Sequence, residues 1–562
     1  MRCKLIILLG LFSIVFVNAQ VTNKGVPKSW EMQNAKKSIS PILMKSIDFK
    51  KINAEDAIND KKDNIPFRFG HELSVNLGLD NAGVWDQLEN GDRIWRINIV
   101  SKGATTLNFI FNVFQIPNGA TLYLYNDDRS DVLGAYTDVF NRPDKMLGTW
   151  LIEGDDIWIE YYEPASVKGQ GKLNISKVIH GYRSVTDAMA RRKDLGSSDN
   201  CNHDVDCTVG NDFDAIKDEL KRSVALFILG GGVCSGTLIN NTSNDRAPYF
   251  LSANHCFVNN DTGQMDNPAT WAFRFNWISP NPSCGTAAAS TDGDRTQETT
   301  SGATILARNE KTDVLLVNID TGLPEEWDLN WAGWDRSGNV PSFVVGIHHP
   351  EGDIMKVCRE DQSPSKSLLN FNGEPQTEIW EISDWDIGVT ERGSSGSAIF
   401  DPSGRIIGQL AGGGAACSGL DDNGLPDFYG RFDVSWDFGT TDETRLSNWL
   451  DPTNTGDLTT DIVSQDGTVP PTPTPPAPEE KEEVTLFVDT FKAVVTISNT
   501  ITDNVVTYSI YNISGALVDS GQVTGEKEDI DMTSKSSGMY FVFIENSVGG
   551  SFTQKVIVNQ RF

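Results

Sequence analysis

Positive charge is scarce in this chain of 562 residues: 47 lysines and arginines face 77 aspartates and glutamates, for a net charge of −30. Such a surface repels phosphate, which argues against nucleic acid as a partner, and it suits an acidic protein that stays soluble. Histidine is scarcer still, at six, so each can be weighed singly. His71, His180 and His203 have no companion pattern, and His348 and His349 are neighbours that on a strand face opposite ways and cannot easily share one metal. Long apolar runs are missing after Val17, so no membrane-spanning helix is expected. The glycine triplets at 230–232 and 412–414 lack the lysine and following helix of a phosphate loop. Cys201 and Cys207 flank His203 without a second Cys/His pair to complete four zinc ligands, and Asp292-Gly293-Asp294 reads as a polar turn before a calcium loop. No metal and no cofactor is expected.

What is present is the composition of globular protein, with 39% apolar and 22% charged residues, in a chain longer than one core serves. Arg2 and Lys4 precede an apolar run from Leu5 to Val17, and Val17-Asn18-Ala19 precedes Gln20, the pattern of an export signal over residues 1–19. Cys3 leaves with that signal. Seven cysteines remain (Cys201, Cys207, Cys234, Cys256, Cys284, Cys358 and Cys417), and export makes disulfides the default with one thiol left over. A bridge from Cys234 to Cys256 would close a loop of about 20 residues, stabilising by roughly 3 kcal/mol on the chain-entropy model.

Period-two runs rich in aromatic and β-branched residues fill residues 20–195, as in Arg93-Ile94-Trp95-Arg96-Ile97-Asn98-Ile99 and Thr121-Leu122-Tyr123-Leu124-Tyr125. They predict a β-sandwich. It ends in Arg191-Arg192-Lys193-Asp194-Leu195-Gly196-Ser197-Ser198, an exposed and cleavable junction. Residues 196–455 hold every candidate bridge and are again β-rich. Residues 456–483 carry a proline run from Pro470 to Pro478 and then Glu479-Glu480-Lys481-Glu482-Glu483, a semi-rigid linker. Residues 484–562 resume the strand pattern in Ala493-Val494-Val495-Thr496-Ile497 and Tyr540-Phe541-Val542-Phe543-Ile544, predicting a small second sandwich.

Within 196–455 three segments fit together chemically. Gly393-Ser394-Ser395-Gly396-Ser397 is flanked by the strand-like Ala398-Ile399-Phe400 and Arg405-Ile406-Ile407-Gly408-Gln409-Leu410, so it is a tight turn between ordered elements and not a flexible polar loop. A serine there needs an imidazole to take its proton, and the imidazole needs a carboxylate to hold its tautomer. His255 closes the apolar run Tyr249-Phe250-Leu251-Ser252-Ala253-Asn254-His255, and Asp313 opens the run Asp313-Val314-Leu315-Leu316-Val317, with Asp320 its nearest competitor. The chain order His, Asp, Ser suits two successive barrels with the site between them. Glycine at 393 lets the backbone N–H groups of Gly393 and Ser395 converge as an oxyanion hole.

From Cys201 to about Pro452 the chain resembles the bacterial lysyl endopeptidases, a branch of the chymotrypsin-like serine peptidases. The likeness rests on Cys201-Asn202-His203-Asp204-Val205-Asp206-Cys207, Trp331-Ala332-Gly333-Trp334-Asp335-Arg336, Ile347-His348-His349-Pro350, Gly393-Ser394-Ser395-Gly396-Ser397 and Tyr429-Gly430-Arg431. It implies an all-β chain: a double β-barrel flanked by an amino-terminal β-sandwich pro-segment and the small carboxy-terminal sandwich. It implies the triad His255, Asp313 and Ser395, and bridges Cys201–Cys417, Cys207–Cys284 and Cys234–Cys256, with Cys358 the odd thiol. By the same carry-over Asp427 sits in the primary specificity pocket, paired with a substrate lysine ammonium, and Leu410, Ala411 and Gly412 line it. Ala411 departs from the family by standing where a histidine is found. Ser394 departs from trypsin-like zymogens, which switch on when a new amino terminus pairs with an aspartate before the nucleophile.

Residues 484–562 resemble the sorting domain of the type IX secretion route through Tyr511-Asn512-Ile513-Ser514-Gly515, Gly538-Met539-Tyr540 and Lys555-Val556-Ile557-Val558. The expected partners are polypeptide substrates and that secretion machinery, and the expected state is a monomer, secreted or at the cell surface by way of the periplasm. The competing readings are an adhesin on a catalytically silent peptidase scaffold, or a peptidase of different primary specificity.

Overall fold

The computed structural model describes residues 25–32, 39–62, 65–183, 198–259, 263–288, 290, 298–369, 377–470, 484–489, 494–499, 506–523, 527–546 and 551–558. The export signal, the junction at 190–197, Asp292-Gly293-Asp294 and the proline run beyond Pro470 lie outside those residues. The chain divides into two compact units, Met1–Pro473 and Thr474–Phe562. Strands dominate both, and among the described residues no helix is long and apolar enough to cross a membrane.

The amino-terminal part of the first unit pairs a six-stranded sheet with a five-stranded one. In the first, Arg93–Val100 and Thr121–Asn126 flank Asp156–Glu163, with Ile97, Ile159 and Leu124 in one register row. In the second, Thr106–Gln115 and Gly70–Gly78 flank Lys172–Gly181. Ile97, Ile159 and Leu124 meet Phe109, Phe111 and Val178 of the second sheet in one buried cluster. The alternation of Arg93–Val100 suggests a wet outer face, yet Arg96 and Asn98 are buried too. Asp86 accepts from Arg96, and Asp156 from Asn98, which supplies the partners that buried polar groups require.

The peptidase part builds two sheets. The first runs through Ala272–Phe275, Val224–Leu229, Gly232–Leu238, Tyr249–Ala253 and Val314–Ile319; the second through Lys356–Glu360, Val344–His348, Ala398–Phe400, Ile406–Gly413 and Asp427–Arg431. Phe227, Phe250, Phe273 and Trp271 fill the first, while Leu251, Val314, Val345 and Phe400 join the two across a shared cluster. Two sheets joined through a shared buried cluster fit the expected double β-barrel. Cys201 is bonded to Cys417, Cys207 to Cys284 and Cys234 to Cys256, and Cys358 is free and buried.

The amino-terminal sandwich is joined to the peptidase part by backbone. Phe67–Arg68 pairs with Val233 and Gly232, extending the first peptidase sheet. Arg142 donates to the carbonyls of Ser301 (2.8 Å) and Ala269. A helix, Phe49–Asn59, is capped by Asp48, which accepts the N–H of Lys51.

The second unit is a sandwich of a three-stranded sheet (Val484–Asp489, Val494–Asn499, Lys527–Asp531) and a four-stranded sheet (Leu517–Val523, Val506–Asn512, Gly538–Asn546, Ser551–Val558). Val495, Ile497, Val506, Ile510, Val542 and Ile544 are among the residues of its core.

Candidate active site

His255 sits in a single helical turn, Asn254–Phe257, that follows strand Tyr249–Ala253. Tyr249–Ala253 pairs with Val314–Ile319, so the residues just beyond this ladder meet: Asp313 is the neighbour of Val314, which lies opposite Ala253. The Asp313 carboxylate takes a 2.7 Å hydrogen bond at Oδ2 from His255 Nδ1 and a 2.9 Å bond at Oδ1 from the His255 backbone N–H. The Asp313 carbonyl accepts the N–H of Asn254 at 2.8 Å. Asp313 has φ +53°, a left-handed backbone that costs a non-glycine residue strain, and these three bonds hold it there. Asp320, the competing carboxylate, lies past the far end of the strand and accepts from Thr304 instead.

Both members of the His–Asp pair are buried. His255 Nε2 carries no hydrogen bond. That leaves open the nitrogen that must receive a nucleophile's proton, and such contacts often close only when substrate is bound.

Ser395 sits in the turn before Ala398–Phe400. The Ser395 carbonyl accepts the N–H of Ser235 (2.9 Å) and the Gly393 carbonyl accepts Ser235 Oγ (2.9 Å), so the first sheet fixes the turn of the second. Cys256 Sγ lies 3.9 Å from the Ser395 carbonyl, which brings the turn beside His255. Gly393 has φ +89°, and a Cβ there would lie 3.0 Å from the N–H nitrogens of Glu351 and Gly352, so only glycine fits without strain.

Asp427 opens strand Asp427–Arg431 and is 1% exposed. Its Oδ2 accepts Thr390 Oγ1 at 2.5 Å and Trp385 Nε1 at 2.8 Å, and Oδ1 accepts the Ala415 N–H at 3.4 Å. Burial pushes its carboxyl up to about 7, against the hydrogen bonds from Thr390, Trp385 and Ala415, which pull the other way. A Cβ at Gly413 would lie 2.0 Å from Asp427 Oδ1, so the carboxylate lies against a bare Cα. Trp385 and Thr390 were not legible as site residues; their contacts with Asp427 cross 42 and 37 positions of sequence.

Ser395 and Asp427 line one cavity of about 320 Å³, together with Leu410, Gly412 and Gly413. Ala411, expected among the lining residues, is not one of them: the strand bulges between Leu410 and Gly412, and Ala411 is 2% exposed. The amino-terminal part of the chain contributes Asp60, Lys62 and Ile65 to the same cavity. Arg392, next to Gly393, anchors them. Its guanidinium donates to the Asn59 carbonyl (2.8 and 2.9 Å), to the Asp60 carbonyl (3.1 Å) and to the Lys62 carbonyl, taking the carbonyls at the end of helix Phe49–Asn59. Glu351 and Glu391 line the cavity as well, and burial pushes their carboxyls up to about 7 and about 8.

A family model described as the C-terminal domain of lysyl endopeptidase matches residues 195–430, and one described as a secretion system C-terminal sorting domain matches residues 491–559. A lysyl endopeptidase of Pseudomonas aeruginosa is 27% identical over 391 residues, which span 65% of this chain and 79% of that protein. Among solved structures, the active form of the Rv3671c protease from M. tuberculosis has 16% identity, 38% of this chain and 78% of that chain covered, and a TM-score of 0.25. The MamO protease domain from Magnetospirillum magneticum has 11% identity, 38% and 95% covered, and a TM-score of 0.25. The chain is a serine endopeptidase, secreted or at the cell surface, similar to lysyl endopeptidases over residues 195–430 and to carboxy-terminal sorting domains over residues 491–559.

Proposed function

We propose that the chain hydrolyses peptide bonds on the carboxyl side of lysine through an acyl-enzyme on Ser395. His255 Nε2 takes the hydroxyl proton as Ser395 Oγ bonds to the scissile carbonyl carbon, and returns it to the leaving amine as the C–N bond breaks. Water, deprotonated by the same nitrogen, then cleaves the ester and restores Ser395. Asp313 holds the imidazole tautomer and stabilises its cation, and the N–H groups of Gly393 and Ser395 receive the oxyanion.

The observation that carries the lysine reading is a buried carboxylate, Asp427, on the same cavity as Ser395. A substrate ammonium entering that cavity is desolvated, and only an ionised Asp427 offsets the cost, which disfavours neutral side chains. Arginine has the same charge but a wider planar fork, so shape must reject it. Asp60, Lys62 and Ile65 narrow the approach, which supports a latent precursor uncovered by loss of residues 20–195. The sorting domain supports passage through the type IX machinery.

The test is a peptide series differing only in the residue before the scissile bond, run beside active-site titration with a fluorophosphonate. Cleavage confined to lysyl peptides, with label on Ser395, is expected. Equal turnover of lysyl and leucyl peptides would sink the specificity, and no label would favour a silent scaffold.

A further inference from the structure

Ser394 separates the two residues whose N–H groups form the proposed oxyanion hole. Its side chain is fully buried, and its Oγ lies 2.7 Å from Nδ1 of His348, the last residue of strand Val344–His348. The same oxygen accepts the N–H of Glu391 at 3.3 Å. His348 is itself fully buried, and burial holds its pKa down to about 3, so the imidazole is neutral. The next residue continues the frame: the His349 N–H donates to Ser235 Oγ (3.0 Å), which donates to the Gly393 carbonyl, while the Ser235 N–H donates to the Ser395 carbonyl. Residues 393, 394 and 395 are thus each tied, by uncharged hydrogen bonds, to His348 or Ser235.

We propose that His348 is a positioning residue that fixes the nucleophile turn through Ser394, so that the oxyanion N–H groups are aimed in the uncleaved chain without help from a new amino terminus. The proposal rests on the reading of Ser395 as nucleophile. In trypsin-like zymogens the residue before the nucleophile is an aspartate awaiting an ammonium. Here a serine meets a neutral imidazole already in place. Removing the pro-segment would then uncover a finished site and would not assemble one.

The experiment uses the mature enzyme and the variants Ser394→Ala, His348→Leu, His348→Asn and the Ser394→Ala/His348→Leu double. Losing one oxyanion donor costs 10²- to 10³-fold, and a loosened turn forfeits part of that. Ser394→Ala and His348→Leu are therefore expected to lower kcat by about 10- to 100-fold. KM for a lysyl peptide, and the affinity of n-butylamine as a pocket-only ligand, should change less than about threefold, because neither senses the oxyanion. The double variant should be no worse than the poorer single one, and His348→Asn, which keeps a polar atom near the Nδ1 position, should recover much of the loss. Acetylating the amino terminus of the mature wild type should leave kcat unchanged.

Single variants within twofold of wild-type kcat would overturn the proposal, as would losses that fall on KM and butylamine binding, losses that multiply in the double, or inactivation by acetylation. If His348→Leu does not fold, Ser394→Ala, which removes one oxygen, decides alone. Fluorophosphonate labelling of wild-type Ser395 separates the two levels: an unlabelled wild type removes the underlying reading and this proposal with it, whereas a labelled wild type with equally reactive variants removes this proposal only.

Discussion

Replacing Asp427 by asparagine should exchange specificity for stability, and the pH at which it does so follows from the site. The carboxyl is moved from 3.8 to about 7, chiefly by burial. A group with a raised folded pKa holds its proton more tightly when folded, so its stabilising contribution is complete below about pH 4 and is lost as pH rises through about 7. Between pH 4 and pH 8 the folded state loses about 3 to 4 kcal/mol on this account. Asparagine does not titrate. In a Ser395→Ala background, which silences self-digestion, the stability of Asp427→Asn relative to its parent should therefore rise by that amount from pH 4 to pH 8. Urea unfolding at several pH values reads it directly, and any fixed loss from the altered hydrogen bonds to Trp385 and Thr390 cancels in the difference. With Ser395 restored, the same substitution should lower kcat/KM for lysyl peptides by about 10²- to 10³-fold, within the 2–5 kcal/mol that losing one partner of a buried charge pair costs, and should spare leucyl peptides. A stability difference independent of pH, or an unchanged lysine preference, would refute the reasoning.

Asp313→Asn should reduce kcat by about 10⁴, since the amide favours the wrong imidazole tautomer, while Asp320→Asn should be silent; the reverse pattern in steady-state kinetics would reassign the carboxylate. Arg392→Ala removes the anchor of Asn59, Asp60 and Lys62, so the uncleaved precursor should react faster with a fluorophosphonate, and equal rates would deny the pro-segment a covering role. Gly413→Ala sets a methyl against Asp427 and should abolish lysyl cleavage with little change in fluorophosphonate reactivity. Deleting residues 484–562 should leave catalysis intact but retain the protein inside the cell, as fractionation would reveal; normal export would make this domain a binding module.

The all-β fold and the likeness to lysyl endopeptidases were legible because both are written locally. Period-two runs such as Thr121–Asn126 dictate strands whatever lies across from them, and Gly393-Ser394-Ser395-Gly396-Ser397 carries its chemistry in adjacent residues. Contacts across sequence distance were not. Trp385 and Thr390 reach Asp427 only because strands from different parts of the second sheet converge there. For His348 the alternation argument spoke only against a metal shared with His349; it says which face a side chain takes but not what waits on that face. Ala411 was placed on the pocket wall by the family resemblance, which carries no register, and the bulge beside it is set by the pairing with Phe428 and Tyr429. The strand Phe67–Arg68 gave no signal at all, being two residues borrowed by another domain's sheet.

Cys358 gives the molecule a built-in reporter. It is the one free thiol among the described residues, fully buried beside Trp385 and Tyr429, and burial raises its pKa well above the usual thiol range. A neutral, enclosed sulfur neither attacks disulfides nor meets an oxidant, which keeps an odd cysteine harmless in a compartment where seven could pair in roughly 105 ways. Trp385, which packs in the same cluster, donates to Asp427, so opening the wall behind Asp427 would expose the thiol. The rate at which a thiol reagent reaches Cys358 therefore clocks the breathing of the specificity pocket in the native protein, residue by residue invisible to any assay of turnover.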